Sequence, residues 1–296
     1  MHHKLILGTV QLGLPYGVNN RHGQPDEETA REILRRAWEG GIRAIDTADA
    51  YGSSMERIGA FHEATPEARF RVITKFHAGD DDSDDALRAK ALSACEKLCV
   101  ERLHCYQYHR FSDIAAFPRY ERQLRLLKEQ NIIERVGASV YTNEEIEAAA
   151  AIPFLDVIQF PFNALDNINI RGEAMRRAKE NGKELHARSV FLQGLFFKSA
   201  ADFPPKLAPL LPYIQKLQYL AENAGGANSL RELALNYALR QPLLDGVLVG
   251  VETPRQIEEL LAAVRPETDS AVYRALEKID EEIHVQTPEL LNPAHW

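Results

Sequence analysis

The chain has no apolar run approaching the length of a bilayer span. Its start, MHHKLILGTVQLG, lacks the apolar core and small-residue cleavage site of a secretory leader. That argues against a membrane protein and makes a cytoplasmic address the expectation. Cysteine is scarce: Cys95, Cys99 and Cys105 are three in number, odd and without an export signal, so no disulfide framework is expected. Cys95 and Cys99 lie one helical turn apart with His104 nearby, but a second zinc-ligand pair is missing and no metal site is expected. Positive charge is in deficit, 35 Lys and Arg against 43 Asp and Glu, for a formal net charge of −8. Nucleic-acid binding needs clustered cations facing phosphates, so that partner is not expected. Pro/Gly/Ser-rich linkers, internal repeats and low-complexity segments are also missing, which leaves one domain over residues 1–296 as the reading.

What is present is a globular composition, 45% hydrophobic and 26% charged, sufficient to bury a sizeable core. The main charge run, Asp80-Asp81-Asp82-Ser83-Asp84-Asp85, reads as a solvated loop whose last acids face a helix N-terminus. Short β-branched or apolar runs fall at Lys4–Val10, Arg43–Thr47, Phe70–Lys75, Cys105–His109, Arg135–Val140, Val157–Phe160, Leu185–Val190 and Gly246–Gly250. Helical patterns at Asp26–Glu39, Ser83–Leu98, Tyr120–Gln130, Asn143–Ala151 and Arg171–Asn181 separate them. Strand-then-helix alternation implies parallel strands with right-handed crossovers, and eight such units close into a (β/α)8 TIM barrel of the α/β class. The Pro-containing stretch from Phe196 to Asn228 becomes a long insertion after strand 7, either a lid or an added helix pair. Asp269–His284 reads as a C-terminal helix and Gln286–Trp296 as a tail.

In such a barrel the active site is built at the C-terminal ends of the strands. Strand 2 ends in Asp46 with Tyr51 just beyond, strand 3 in Lys75 and strand 4 in His109. Singly, each has an ordinary structural explanation. Jointly, a lysine and a histidine that end adjacent apolar strands need partners that they find in each other's company. The set suits carbonyl reduction. A carbonyl that accepts a hydride becomes an alkoxide and needs a proton, which Tyr51 can give. The Lys75 ammonium is expected to lower the Tyr51 pKa, Asp46 to hold Lys75, and His109 to orient the carbonyl oxygen.

The segments Asp46-Thr47-Ala48-Asp49-Ala50-Tyr51-Gly52, Thr74-Lys75 and Tyr108-His109 resemble the catalytic tetrad segments of the aldo-keto reductase family. The resemblance runs almost the full chain. Its opening Gly8–Gly13 and the segment Arg188–Leu195 look closest to bacterial members found beside polysaccharide and sugar biosynthesis functions. It implies a nicotinamide cofactor on the barrel rim, in keeping with the lack of a Gly-x-Gly-x-x-Gly after any strand. Ser139 and Gln159 would bond the carboxamide. Backbone amides from Ser189 through Leu192 and Gly194 to Leu195 would cradle the pyrophosphate, and Gln256 and Glu259 would hold the adenosine end. Four positions depart from the family pattern. Val140 replaces an Asn beside the serine, and Arg188 replaces a Tyr stacked on the nicotinamide. Gly250 replaces a Lys that grips a 2′-phosphate, and Leu260 replaces an adenine-binding Asn. Arg188 is expected to lie against the nicotinamide or the pyrophosphate. NADPH is the expected cofactor, with NADH possible, through Thr253 and above all Arg255 in the loop after strand 8.

The expected partner is a small-molecule carbonyl substrate, and the expected state a monomer or weak homo-oligomer. A glycosidase using Asp46 and Asp49 leaves Lys75 and His109 idle. A zinc hydrolase using His104 and His109 lacks a His-x-His pair at a strand end. A regulatory protein that keeps the fold and cofactor with little turnover is the non-enzyme alternative. Because strand 1 starts within a few residues of Met1, the β-hairpin that plugs the barrel floor in many family members should be missing. Strand side chains or the C-terminal tail should then cover that end.

Overall fold

A computed structural model describes residues 2–20, 22–79, 85–224, 229–265 and 270–296. Eight parallel strands close into one barrel in sequence order: β1 Leu5–Gly8, β2 Ala44–Asp46, β3 Arg71–Phe76, β4 Leu103–Tyr108, β5 Ile133–Ser139, β6 Val157–Pro161, β7 Glu184–Arg188 and β8 Gly246–Gly250. The strands expected from the sequence are all there, several shorter by a residue or two at the mouth. The chain leaves the ladder early at β1, where a short helix, Val10–Gly13, follows Thr9.

Local signals fix the crossovers. Asp26 caps the helix Glu27–Glu39 by accepting from the Thr29 amide at 2.8 Å. Gly41 ends it at φ +89°, a conformation that costs glycine little. Thr142 and Glu145 form a reciprocal capping box on Asn143–Ala150. Ile168–Glu180 starts a turn before the expected Arg171, because the Asn167 side chain accepts from the Asn169 amide. A helix at Ser54–Ala64 was not singled out in the sequence. The expected helix start at Ser83, the acids Asp80–Asp84, the insertion's last residues and Asp269 lie outside the described residues; the helices there are Ala86–Leu98 and Ser270–Glu282. The insertion runs through three 3-10 turns into the helix Leu211–Ala224, which packs against Ser270–Glu282.

Inward positions recur every second residue along each strand, and three layers result. Ile6, Ala44, Ile73, Cys105, Val157 and Leu248 make an apolar middle layer. Above it stand Asp46, Lys75, Gln107, Ser139 and Gln159, all buried polar groups. Below it, Arg135 pairs with Glu184, and His186 Nε2 lies 2.8 Å from the same carboxylate. Burial first, with smaller charge effects, pulls the His186 pKa down to about 4, so it sits in the floor as a neutral ring. Strand side chains therefore fill the barrel floor. The tail does not reach it: Gln286 and His295 bond to Tyr213 and Lys206 of the insertion. Only the 3-10 turn His2–Lys4 precedes β1 among the described residues, and no hairpin.

Backbone contact joins the loops after β1 and β2. A Cβ at Gly13 would lie 1.7 Å from the Tyr51 carbonyl oxygen, and one at Gly52, already at φ +51°, 2.4 Å from the Gly13 oxygen. A methyl at residue 13 must push the Tyr51 segment away. Gly13→Ala is expected to lower stability by about 1–3 kcal/mol, the usual cost of overpacking a tight contact. Urea denaturation checks this, and an unchanged midpoint would mean that the two loops part freely.

Candidate active site

Tyr51, Lys75, Asp46 and His109 meet at the floor of a cavity of about 570 Å³ at the C-terminal mouth of the barrel. Asp46 reaches it because β2 ends there and because buried hydroxyls hold its backbone. Thr9 donates to the Asp46 carbonyl at 2.8 Å, Ser54 to Thr9 at 2.8 Å, and Thr47 to Ser54 at 3.1 Å. Thr9 and Ser54 carry no chemistry of their own and have no sequence signature, so their role emerges only from the fold.

The Lys75 ammonium donates to Asp46 Oδ1 and, at 3.2 Å, to the Thr47 carbonyl. Gln159 Nε2 donates to Asp46 Oδ2 at 2.8 Å, so both carboxylate oxygens are satisfied. Burial works against the Lys75 charge, but the adjacent Asp46 carboxylate outweighs it and holds the lysine pKa above its ordinary value. Lys75 Nζ lies 5.4 Å from the centre of the Tyr51 ring. The expected downward shift of the Tyr51 phenol is not what results. Burial raises its pKa, Lys75 opposes that, and the net direction is upward. The physical reason is burial first; Asp46, which keeps Lys75 charged, also sits near the phenol and cancels part of the field of the ammonium.

His109 follows β4, its amide bonded to the Phe76 carbonyl at 2.9 Å. Its ring meets Tyr51 edge-on, centroids 5.8 Å apart. Burial, then the charges of Lys75, His77, Arg110 and Arg188, depresses its pKa to about 3, so it stays neutral with one N–H to donate. Asp49 is exposed and outside the cavity, so it forms no acid pair with Asp46. His104 sits at the far end of β4, bonded to Glu134 at 3.1 Å, and cannot share a metal with His109. Among the described residues no three His, Cys, Asp or Glu side chains gather as metal ligands, and the three cysteines are free thiols.

Of the residues expected to hold a cofactor, Ser139, Gln159, Arg188, Ser189, Gly194, Gly250 and Gln256 line the cavity. Arg188 lies 4.1 Å over the Tyr141 ring and donates to the Val140 carbonyl at 3.1 Å, while its buried Nε has no partner. Gly250 has a local reason. A Cβ there would sit 2.5 Å from Gln11 Oε1, so Gln11 occupies the space that a side chain at 250 would take. The loop from Ser189 to Gly194 winds through left-handed backbone at Ser189, Leu192, Gln193 and Gly194. Val18 clasps it by donating to the Gln193 carbonyl at 3.2 Å, and Asn163 by donating to the Ser189 carbonyl at 3.1 Å.

Four expectations need correction. Leu192 is fully buried, and its amide is spent on Ser189; Gly194 likewise donates to Phe191, so neither amide is free for a pyrophosphate. Thr253 caps the helix Pro254–Ala262 instead of lining the cavity. Arg255 extends into solvent, 85% exposed, and pairs with Glu259 at 2.8 Å. Glu259 is spent between Arg255 and Arg231, the latter also at 2.8 Å. A further cation faces the cavity beside Lys75 and Arg188: Arg231, which sequence reasoning missed because it comes from the helix Ser229–Leu239, remote from any strand end. Tyr16 and Tyr141 were also missed, as loop aromatics with no spacing signal. Burial, with smaller charge effects, pushes the Tyr16 phenol up to about 12.

Lys75→Met removes the partner of a buried carboxylate, and a broken buried pair costs about 3–5 kcal/mol. It also removes the charge that opposes burial at Tyr51. The Tyr51 phenol should therefore titrate at higher pH than in the wild type, as read by NMR of ring-labelled tyrosine. A phenol titration that does not move would show that Lys75 exerts no field on Tyr51.

The chain and its fold have counterparts. A D-threo-aldose 1-dehydrogenase from Pseudomonas sp is 25% identical, with 89% of each chain covered. An NADH-specific methylglyoxal reductase from Escherichia coli is 23% identical, with 88% of this chain and 89% of that one covered. Among solved structures, the glycerol dehydrogenase from Gluconobacter oxydans superposes with a TM-score of 0.74 at 22% identity, over 98% of this chain and 93% of that one. The holo form of an aldo-keto reductase from Bacillus halodurans gives 0.73 at 20% identity, over 93% and 91%. The family model described as Aldo/keto reductase family matches residues 4–281, and the chain belongs to that family as an oxidoreductase.

Proposed function

We propose that this oxidoreductase interconverts an aldehyde or ketone with the corresponding alcohol, sugar-derived substrates among them, with a nicotinamide dinucleotide in the mouth of a single barrel domain. The observation that carries the reading is the meeting of a buried phenol, a buried ammonium held by a carboxylate, and a neutral imidazole around one cavity floor. The relatives named for an aldose and for methylglyoxal act on carbonyl or hemiacetal carbons, which supports the substrate class.

The residues present fit such a cofactor. The cavity runs from the tetrad to Gln256 and Leu260, and buried polar atoms of Gln11 and Arg188 along it lack partners within the protein. Ser139 and the side-chain carbonyl of Gln159 would take a carboxamide. Arg188, one face already on Tyr141, offers its other face to a planar ring or its edge to a phosphate. When bound, the dinucleotide supplies or accepts the hydride at the substrate carbon.

The protein's own part in reduction is proton management. His109 donates its N–H to the carbonyl oxygen and fixes the carbon in place. As negative charge grows on that oxygen, Tyr51 Oη gives up its proton to it. The raised pKa of Tyr51 keeps the phenol protonated across the physiological range, the state that reduction requires. Lys75 then stabilises the phenolate until it is reprotonated. In the oxidative direction the same phenolate is the base, so that direction gains as pH rises.

Tyr51→Phe removes only the proton donor. Turnover of short and aromatic aldehydes should fall by about two to four orders of magnitude, the usual worth of a general acid. Cofactor dissociation constants should stay near wild type, and a variant that keeps more than about a tenth of wild-type turnover ends the assignment.

For the cofactor we propose NADPH preference with Arg231 as its main source, in place of Arg255. Two arginines around one Glu259 leave a local excess of positive charge, which suits a 2′-phosphate. Arg231→Ala should weaken NADPH about tenfold, one charge-assisted bond, and leave NADH unchanged. Equal wild-type affinities for the two cofactors in a binding titration would exclude the preference.

A further inference from the structure

The ring plane of a working histidine is ordinarily set by a hydrogen bond to its second nitrogen, which also selects the tautomer. His109 has no such bond: its Nδ1 is buried and has no partner in the protein. Something else has to stop the ring from turning, and the packing around it shows what. β3 and β4 are in register with Phe76 opposite Tyr108, so the next residues, His77 and His109, face each other on the inward side. Their rings stack at 4.5 Å between centroids and 11° between planes. The Tyr51 ring meets His109 edge-on at 83°.

His77 is itself held. Its Nδ1 lies 3.2 Å from Asp113 Oδ2, on the 3-10 turn Phe111–Ala116 that follows β4, and its carbonyl accepts from Lys90 at 3.3 Å. Asp113 is only 14% exposed, whereas His77 is 36% exposed and lies outside the cavity lining. A half-exposed imidazole with a carboxylate on its nitrogen and a second imidazole against its face has no packing need that an aliphatic residue would not meet.

We infer that His77, fixed by Asp113, is a positioning residue that sets the ring plane of His109. This rests on the carbonyl-orienting role given to His109 above. The stack replaces the missing hydrogen bond: it leaves the ring free to slide slightly in its plane but not to rotate out of it. His77 does not touch the reacting atoms in this scheme and acts only through its neighbour.

Side-chain ¹⁵N NMR of the protein without substrate, together with steady-state kinetics, tests it. In the wild type His109 should show one set of sharp ring shifts. In His77→Ala those shifts should broaden and move as the ring samples other orientations. Its kcat should fall about threefold to tenfold, the worth of one aromatic contact, with little change in KM. His77→Phe, which keeps a ring but not a charge or a hydrogen bond, should recover both, and Asp113→Asn should be intermediate. Adding His77→Ala to His109→Ala should cost nothing more. Unchanged His109 shifts in His77→Ala, or a His77→Phe variant as impaired as His77→Ala, would overturn the inference. A His109→Ala variant that keeps wild-type turnover would instead end the role given to His109, while the NMR shifts still decide whether His77 sets its ring.

Discussion

The mouth of the barrel is organised by one ion pair, Lys75 with Asp46, buried at the level where the strands end. A lone ammonium or a lone carboxylate at that depth would be driven to its neutral form. Together, with Gln159 on the second carboxylate oxygen and the Thr47 carbonyl on the ammonium, they remain ionic. The pair also ties β2, β3 and β6 at one height. Thr9 and Ser54 extend that tie to β1 and to the helix that follows Tyr51. Desolvation makes such a pair a poor source of net stability, so its worth lies in what it fixes in space.

Two consequences follow for the groups around it. Asp46 keeps Lys75 charged, yet the same carboxylate weakens the field that Lys75 projects onto Tyr51. Burial is the largest effect on the phenol, and with the field of Lys75 so weakened its pKa stays above the ordinary value. With neither charge present, burial of the phenol would be unopposed. The intermediate balance suits a group that must hold a proton and release it only when a stronger charge develops nearby.

The architecture was legible because its signals are local and repeated. Strand and helix periods, caps such as Asp26 and the closing Gly41 each specify a short segment, and eight repetitions leave one way to close. Part of the candidate site was legible because Asp46 and Lys75 stand at strand ends and His109 directly follows one, where side-chain direction follows from period-two alternation, with Tyr51 in the loop just past β2. What stayed hidden lies in loops and in sums. Tyr16, Tyr141 and Arg231 reach the cavity through connections whose paths no spacing rule predicts. Arg255 misled for a related reason: its place after β8 was right, but its helix turns it toward Glu259 and solvent. The sign of the shift at Tyr51 depends on burial and Asp46 set against Lys75 and Arg188, and a sequence supplies their names without their distances.

Charge at the mouth differs from charge on the chain as a whole. The protein carries a formal net charge of −8, yet the cavity is lined by Lys75, Arg188 and Arg231 against Asp46 and Glu252. Lys75 and Asp46 cancel, and Arg231 shares Glu259 with Arg255. The side-chain hydrogen bond of Arg188 goes to a backbone carbonyl, and its buried Nε is left without a partner. Burial, with smaller contributions from nearby charges, keeps His109 neutral. Within the proposed chemistry, a neutral donor beside an incompletely compensated guanidinium is suited to charge that is absent from the substrate and present in the transition state. A second fixed cation in place of His109 would already bind the ground-state oxygen more tightly and would hold the product alkoxide against protonation by Tyr51. Within that scheme the neutrality of the imidazole matters as much as the charge of the lysine: burial and nearby cations set the first, and the Asp46 carboxylate sustains the second against burial.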